Sequence, residues 1–173
     1  MQIIECVYAL YRKFAQHKLH GYGVKAFQNF ESDFLSVAQS GLIHEIEIKM
    51  SRSDFLADFK KQNKHALIQY GELANYFWFA APKGMLKQKD IPDYAGHIEF
   101  EYETIQVGRN TLLEYRLNAQ VIKDAPRIHR NKKNVDEKIL RSMYYKQLNT
   151  MREKVSHIEK ERYANGKRSK GAL

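Results

Sequence analysis

The sequence predicts an α/β domain built as helix, three strands, helix and further strands, with a mixed central sheet flanked by helices and a long C-terminal helix after it. Three observations carry this. Apolar residues recur at helical spacing in residues 3–18, they alternate with charged ones in residues 42–50, and residues 75–81 form an aromatic run, NYFWFAA. Ile3, Val7, Leu10 and Phe14 define one face of the first helix, and Gly21 lies beyond its end. Residues 23–30 read as a first strand. A hairpin follows, 32–38 and 42–50, with Gln39-Ser40-Gly41 as its turn and the glycine suited to the φ > 0 position of a three-residue loop. In the simplest register Ala38 faces Leu42 and Asp33 falls opposite Glu47.

Ser51 or Ser53 caps a helix over about 53–72, whose Leu56, Phe59, Asn63, Ala66, Leu67 and Tyr70 share one face. The run at 75–81 is a buried strand, and IPDYAG (91–96) leads to strands in 97–108 and 112–123. From about Asn134 to Arg162 the pattern becomes one long helix. Tyr144, Leu148, Met151, Val155 and Ile158 form a short coiled-coil-like seam on it, which packs either on the domain or on its own copy in a homodimer. The chain thus divides into a domain at 1–130, a basic helical segment at 131–162 and a basic tail at 163–173, whose lack of apolar residues predicts disorder.

A chain of 173 residues is one domain by length. Cys6 is the single cysteine, which excludes an internal disulfide and a thiolate zinc cage. There is no run of eighteen apolar residues and no basic-then-apolar leader, so the expectation is a soluble, cytoplasmic protein without membrane contact. The net charge of +9 is unevenly placed. Residues 1–126 hold 15 Lys or Arg against 15 Asp or Glu, and residues 127–173 hold 14 against 5. A neutral body with a basic appendage is the pattern expected for a phosphate-backbone partner; the plain alternative is a solvated helix with a basic end.

The chemistry concentrates in the hairpin. Strand side chains alternate faces, so Glu45, Glu47 and Lys49 point one way while Ile46, Ile48 and Met50 point the other. Like charges directly across a strand pair are unfavourable. A cation between Asp33 and Glu47 would turn that penalty into a binding site. The plain alternative is the wet face of a half-buried strand, for which alternating charges need no further reason. Asp is depleted in strands, which weighs against that alternative at Asp33.

Asp33 followed by Glu47-Ile48-Lys49 resembles the D…(D/E)-x-K signature of the PD-(D/E)XK nuclease superfamily, the restriction-endonuclease-like fold. The likeness extends through EIKMSRSDFLADFKK (47–61), NYFWFAAP (75–82), IPDYAGHI (91–98) and APRIHR (125–130), which are similar to the MmcB-like DNA-repair proteins and their phage relatives. It covers roughly residues 1–130. It departs from the pattern at His97, where Leu is usual, and in the charged stretch 99–120.

This resemblance implies an αβββαβ core and a Mg²⁺- or Mn²⁺-dependent deoxyribonuclease acting in DNA repair or phage DNA processing. Asp33, Glu47 and Lys49 are then the catalytic residues. The metal ligands are Asp33, Glu47 and the main-chain carbonyl of Ile48, with Lys49 placing the attacking water or stabilising charge on the phosphate. Glu45, on the same face, takes a second metal or is simply solvated.

Other residues carry weaker indications. Arg52, Lys60, Lys61 and Lys64, with Arg130, Lys132 and Lys133, are candidate nucleic-acid contacts, although a charge run on a helix is commonly its wet face. Ser51 and Asp54 have the spacing of a helix cap, and Asp58 lies in the same run. Glu5 lies on the polar side of the first helix, His17 and His20 lack a third zinc ligand, and His44 and Trp78 read as core. Nothing resembles a base-reading element, so DNA would be recognised by backbone or structure. Three functions compete: the nuclease, a catalytically inactive DNA-binding module of the same fold, and an assembly partner acting through the long helix.

Overall fold

The computed structural model describes residues 1–27, 30–61, 63–107 and 112–128, with helical positions 137, 139–146, 148, 149, 152, 153, 155 and 156. It contains α1 (Ile3–Lys13), β1 (Leu19–Phe27), β2 (Phe30–Val37), β3 (Ile43–Ile48), α2 (Arg52–Asp58), α3 (Lys64–Gln69), β4 (Tyr76–Pro82), β5 (Ala95–Val107) and β6 (Leu112–Lys123). The strands form one sheet in sequence order. β3, β4 and β5 run parallel, and the outer pairs are antiparallel. The α/β class with a mixed, helix-flanked sheet is therefore as the sequence predicts.

Each sheet face has its own core. On one, Leu35, Val37, Ile43, Phe77, Phe79 and Ala81 pack against Phe55 of α2, Ile68 of α3, and Ile139 and Met143 of the C-terminal helix. On the other, Phe34, Ile46, Ile48, Trp78, Ala80, Ile98 and Phe100 pack against Cys6, Val7, Leu10 and Phe14 at α1. Strand alternation produces both cores from one stretch, since Ile46 and Ile48 enter the second while Glu45 and Glu47 point to the first.

The hairpin register is as expected. Ala38 donates its amide to Leu42 at 2.9 Å, and the pairs continue to Phe34 opposite Ile46; beyond this last pair Asp33 accepts the Ile48 amide and feels the Glu47 charge. Gly41 holds φ at +84°, the left-handed geometry that the turn needs. Asp33 lies inside β2, which begins at Phe30.

Four expectations are corrected. β1 starts at Leu19 and β2 at Phe30, ahead of the predicted strand starts at 23 and 32. The first helix ends at Lys13, with Phe14 as its buried cap, and the chain turns there into β1. The predicted helix 53–72 is two short helices, broken at Asn63, whose φ of 63° is left-handed. Its predicted apolar face is largely outside: Leu56, Phe59 and Tyr70 are exposed, while Leu67 still packs on the core and the fully buried positions are Phe55, Asp58, Lys64 and Ile68.

The C-terminal seam is also turned away from the domain where it is described. Tyr144, Leu148 and Val155 are exposed, and Ile139 and Met143 make the contact instead. Met151, Ile158 and the tail 163–173 lie outside the described residues. No helix among the described residues is long and apolar enough to cross a membrane.

Gly96 of β5 shows how tightly the second core closes. A Cβ there would lie 2.3 Å from Trp78 Cε3 and 2.6 Å from the Ala125 amide nitrogen. Gly96→Ala is expected to lower stability by about 1–3 kcal/mol, as overpacking against backbone does. The measurement is urea unfolding. A lowered midpoint with an unchanged slope is expected, and an unshifted midpoint would refute the close fit.

Candidate active site at the carboxyl end of β3

The three parallel strands present their carboxyl ends on one edge of the sheet, where open α/β sheets form crevices. β3 ends there with Glu47, Ile48 and Lys49, and Ser51 at once caps α2, its Oγ accepting the Asp54 amide at 3.1 Å. The capping role foreseen for Ser51 and Asp54 is the one observed. The registered pairs of β2 and β3 stop at Phe34–Ile46. Past that point the Ile48 amide donates 2.8 Å to Asp33 Oδ2, so the carboxylate replaces a ladder acceptor and is held beside Glu47.

The face bearing Glu45, Glu47 and Lys49 is not wet. These three residues, with Asp58 and Lys64, are each no more than 2 % exposed. Burying charge is costly unless it is paired, and here the pairing is dense. Lys49 Nζ donates to Glu47 Oε2 at 3.0 Å and to Asp58 Oδ1 at 2.9 Å. Lys61 Nζ lies 2.5 Å from Asp58 Oδ1 and 3.9 Å from Glu47 Oε2. Lys64 Nζ lies 2.8 Å from Glu47 Oε1 and 3.5 Å from Asp58 Oδ2. His65 Nε2 stands 3.1 Å from Asp58 Oδ2, while its Nδ1 is 2.8 Å from the Tyr94 hydroxyl. Lys61 is half exposed and, with the partly exposed Asp33, marks where the cluster meets solvent.

The helix break creates this convergence. Side chains advance about 100° per residue on a helix, so an unbroken α2–α3 would set Lys64 roughly 240° around from Asp58. The left-handed turn at Asn63 brings Lys64 back over the sheet.

The electrostatics follow from burial and crowding. Burial and the Glu47 charge push the Asp33 carboxyl up to about 6, against the hydrogen bond from Ile48. Burial pushes Glu45 up to about 7, opposed by Lys64 and reinforced by Glu47. Asp58 is equally desolvated, yet the His65 hydrogen bond and the lysine charges hold it well below the usual carboxylate range. Burial would lower Lys49, but Glu47 and Asp58 raise it above the ordinary lysine value. Lys49 is therefore an ammonium, able to donate and to stabilise negative charge but not to act as a base.

Asp33, Glu45, Glu47 and Lys49 are thus together on one face. Ile48 has its side chain in the opposite core and its amide on Asp33. Lys64, expected to reach phosphate from a helix surface, is instead buried in the cluster because α2–α3 is not continuous. Arg52 is half exposed but clamped on Asp90, at 2.8 and 3.2 Å. Lys60 is exposed. Arg130, Lys132 and Lys133 lie outside the described residues.

Glu5, His17 of the α1–β1 turn and His20 of β1 belong to the other side of the sheet. Glu5 accepts from the Tyr102 hydroxyl at 2.9 Å, and His17 Nδ1 sits 2.5 Å from Ser36 Oγ. His44, a partner of Trp78 Nε1 at 3.2 Å, is a core residue, and burial takes it down to about 3.

Sequence reasoning did not find His65, Tyr94 or Ser32, and gave Asp58 only a supporting place. Ser32 Oγ donates to Glu45 Oε1 at 3.0 Å, leaving Oε2 buried without a hydrogen-bond partner. The one available signal for Asp58 was an acid spaced three residues from Phe55 on the inward side of a helix. Among the described residues no group of three or more His, Cys, Asp or Glu side chains is arranged to hold a metal ion; ammonium groups lie between the carboxylates instead.

No protein-family model and no curated protein matches the chain. A solved structure, the SPO1766 protein of unknown function from Silicibacter pomeroyi, is similar in fold, with a TM-score of 0.57 over 87 % of this chain and 86 % of that one. At 14 % identity the likeness concerns the fold alone.

The raised Glu45 gives a stability prediction with a definite sign. Its folded value, about 7, exceeds the 4.5 of an ordinary glutamate, so the native state binds more protons in that window. Stability from this group is complete below the lower value and is lost as pH rises through the upper one, by on the order of 2–3 kcal/mol. In chelator, Glu45→Gln is expected to melt above wild type at alkaline pH, with the gap closing near about pH 5. Thermal melts across that range are the check, and a gap that does not change with pH would contradict the assignment.

Proposed function

We propose that this chain is a Mg²⁺- or Mn²⁺-dependent deoxyribonuclease of the PD-(D/E)XK, restriction-endonuclease-like type, cutting DNA phosphodiesters with little sequence preference in DNA repair or phage DNA processing. The observation that carries the reading is the placement of Asp33 against Glu47 with Lys49 on the same face, where β2 and β3 part at the carboxyl end of the sheet. The order α1-β1-β2-β3-α2-α3-β4, in which two short helices stand in the place of one, supports the same fold.

Carboxylate and carbonyl oxygens are the donor type a hard divalent cation takes, and an ion here would displace the ammonium groups that lie between the carboxylates. Asp33 and Glu45 are carboxyls whose charged forms are disfavoured by burial and by Glu47, and Glu45 Oε2 has no hydrogen-bond partner. Asp33, Glu47 and the Ile48 carbonyl would hold the ion, with Glu45 beside them. The bound ion would supply a more acidic water and neutralise phosphate charge. Lys49 would donate to the same phosphate or water, and Asp58 orients Lys49 through its 2.9 Å hydrogen bond. Half-exposed Lys61, paired with Asp58 at 2.5 Å, is the ammonium of the cluster that faces solvent and would meet the incoming strand first.

One observation favours the inactive, DNA-binding alternative. The Glu47 oxygens already face Lys49 and Lys64, a pairing that keeps the cluster closed. The basic surplus of residues 127–173 serves either reading.

Cleavage of plasmid and single-stranded DNA with Mg²⁺ or Mn²⁺ separates the two. Lys49→Ala and Asp33→Asn are each expected to lower the rate by roughly 100-fold or more. Undiminished cleavage by either variant would defeat the assignment. Absence of cleavage by wild type, together with steeply salt-dependent DNA binding in EDTA, would favour the binding module.

A further inference from the structure

Two cavities lie side by side at the β1 edge of the sheet, between α1 and the C-terminal helix, and share Tyr11, His20 and Met143 in their walls. They measure about 310 and 500 Å³, within the range of ligand pockets. Four tyrosines, Tyr8, Tyr11, Tyr22 and Tyr144, and two lysines, Lys18 and Lys146, line them, with no carboxylate in either wall among the described residues. Glu31 stands outside both walls, 3.9 Å from Lys146 Nζ. Tyr8, Tyr11 and Tyr144 are 56, 53 and 59 % exposed. Single exposed aromatic residues are ordinary, whereas three around one cleft mark a surface that meets a partner. Tyr8 and Tyr11 are three residues apart on α1 and so share a face. The wall common to both cavities is fixed: the Tyr11 ring lies 4.9 Å from His20, whose Nε2 is 2.6 Å from the Phe14 carbonyl oxygen. Lys146 Nζ lies 5.8 Å from the centre of the Tyr22 ring, and Lys18 is exposed.

We propose that this cleft binds single-stranded DNA, with unpaired bases on the tyrosine rings and phosphates on Lys18 and Lys146. The inference rests on the DNA-cleaving reading above and names the form of the strand. Flat rings set among cations match a chain in which flat bases alternate with negative phosphates. A duplex keeps its bases stacked inside the helix and offers such a wall its phosphates alone, so the tyrosines would gain nothing from it. A second copy of the chain is the other occupant for an apolar cleft, and charge opposes it. Residues 127–173, which include the C-terminal helix, hold the whole positive surplus, and a two-fold contact would set that surplus against its like. The position also serves the candidate site. Tyr22 and Val24 of β1 pair with Phe34 and Ser32, the residues on either side of Asp33. One strand spacing, about 5 Å, separates β1 from the strand that carries Asp33.

The test is binding of a fluorescein-labelled single-stranded oligonucleotide, and of its duplex, to the full chain in EDTA, where no cleavage intervenes. Anisotropy is the readout, and wild type is expected to bind the single strand more tightly. Tyr8→Ala, Tyr11→Ala and Tyr144→Ala are each expected to weaken single-strand binding by roughly 5-fold or more, as loss of a stacked base does, and to leave duplex binding unchanged. Tyr11→Phe keeps the ring and is expected to bind as wild type does. Lys18→Ala is expected to make the log–log salt dependence of single-strand binding shallower by about 0.7. Single-strand binding that the alanine variants leave intact, an equal loss on the duplex, or no single-strand binding by wild type overturns the proposal. So does a concentration-dependent mass that the tyrosine variants abolish and the oligonucleotide does not, which would give the cleft to a second copy. The nuclease reading is decided separately, by cleavage with Mg²⁺ or Mn²⁺, and survives each of these failures.

Discussion

A buried ion network between the sheet and the α2–α3 segment is the constraint on which this structure depends. Glu47 and Asp58 cannot be left desolvated and unpaired, and Lys49, Lys61 and Lys64 supply their counter-charges. Removing one partner from such a network costs on the order of 3–5 kcal/mol because a charge is stranded. The network therefore governs how α2 and α3 sit on β3 and β4. Phe55 on Phe79, with ring centres 4.9 Å apart, gives those helices apolar anchorage, but the ions set their orientation.

The two faces of the sheet divide the work. The face under α1 is a conventional core in which Ile46, Ile48 and Trp78 interlock, and the partly buried His44 accepts from Trp78 Nε1. The opposite face is apolar at one end and ionic at the other, where β3 delivers Glu45, Glu47 and Lys49. Charge is placed there at an energetic cost that packing on the other face offsets.

The C-terminal segment combines two properties. Ile139 and Met143 bind it to the domain, while Tyr144, Tyr145, Leu148 and Val155 remain exposed. Its sequence carries the entire positive surplus of the chain.

The sequence by itself determined whatever follows from local periodicity. The alternation of 43–48, the turn at Gly41 and the Ser51 cap are set by neighbours a few residues apart, and so the nearness of Asp33 to Glu47 could be read before any coordinates. It did not determine what α2 and α3 bury. A continuous helical pattern over 53–72 hides the left-handed Asn63, and the exposed Leu56 and Tyr70 looked like core. Only the tertiary structure decided that Asp58, Lys64 and His65 converge on Glu47. That choice balances the desolvation of charges far apart in sequence, a quantity no local window contains.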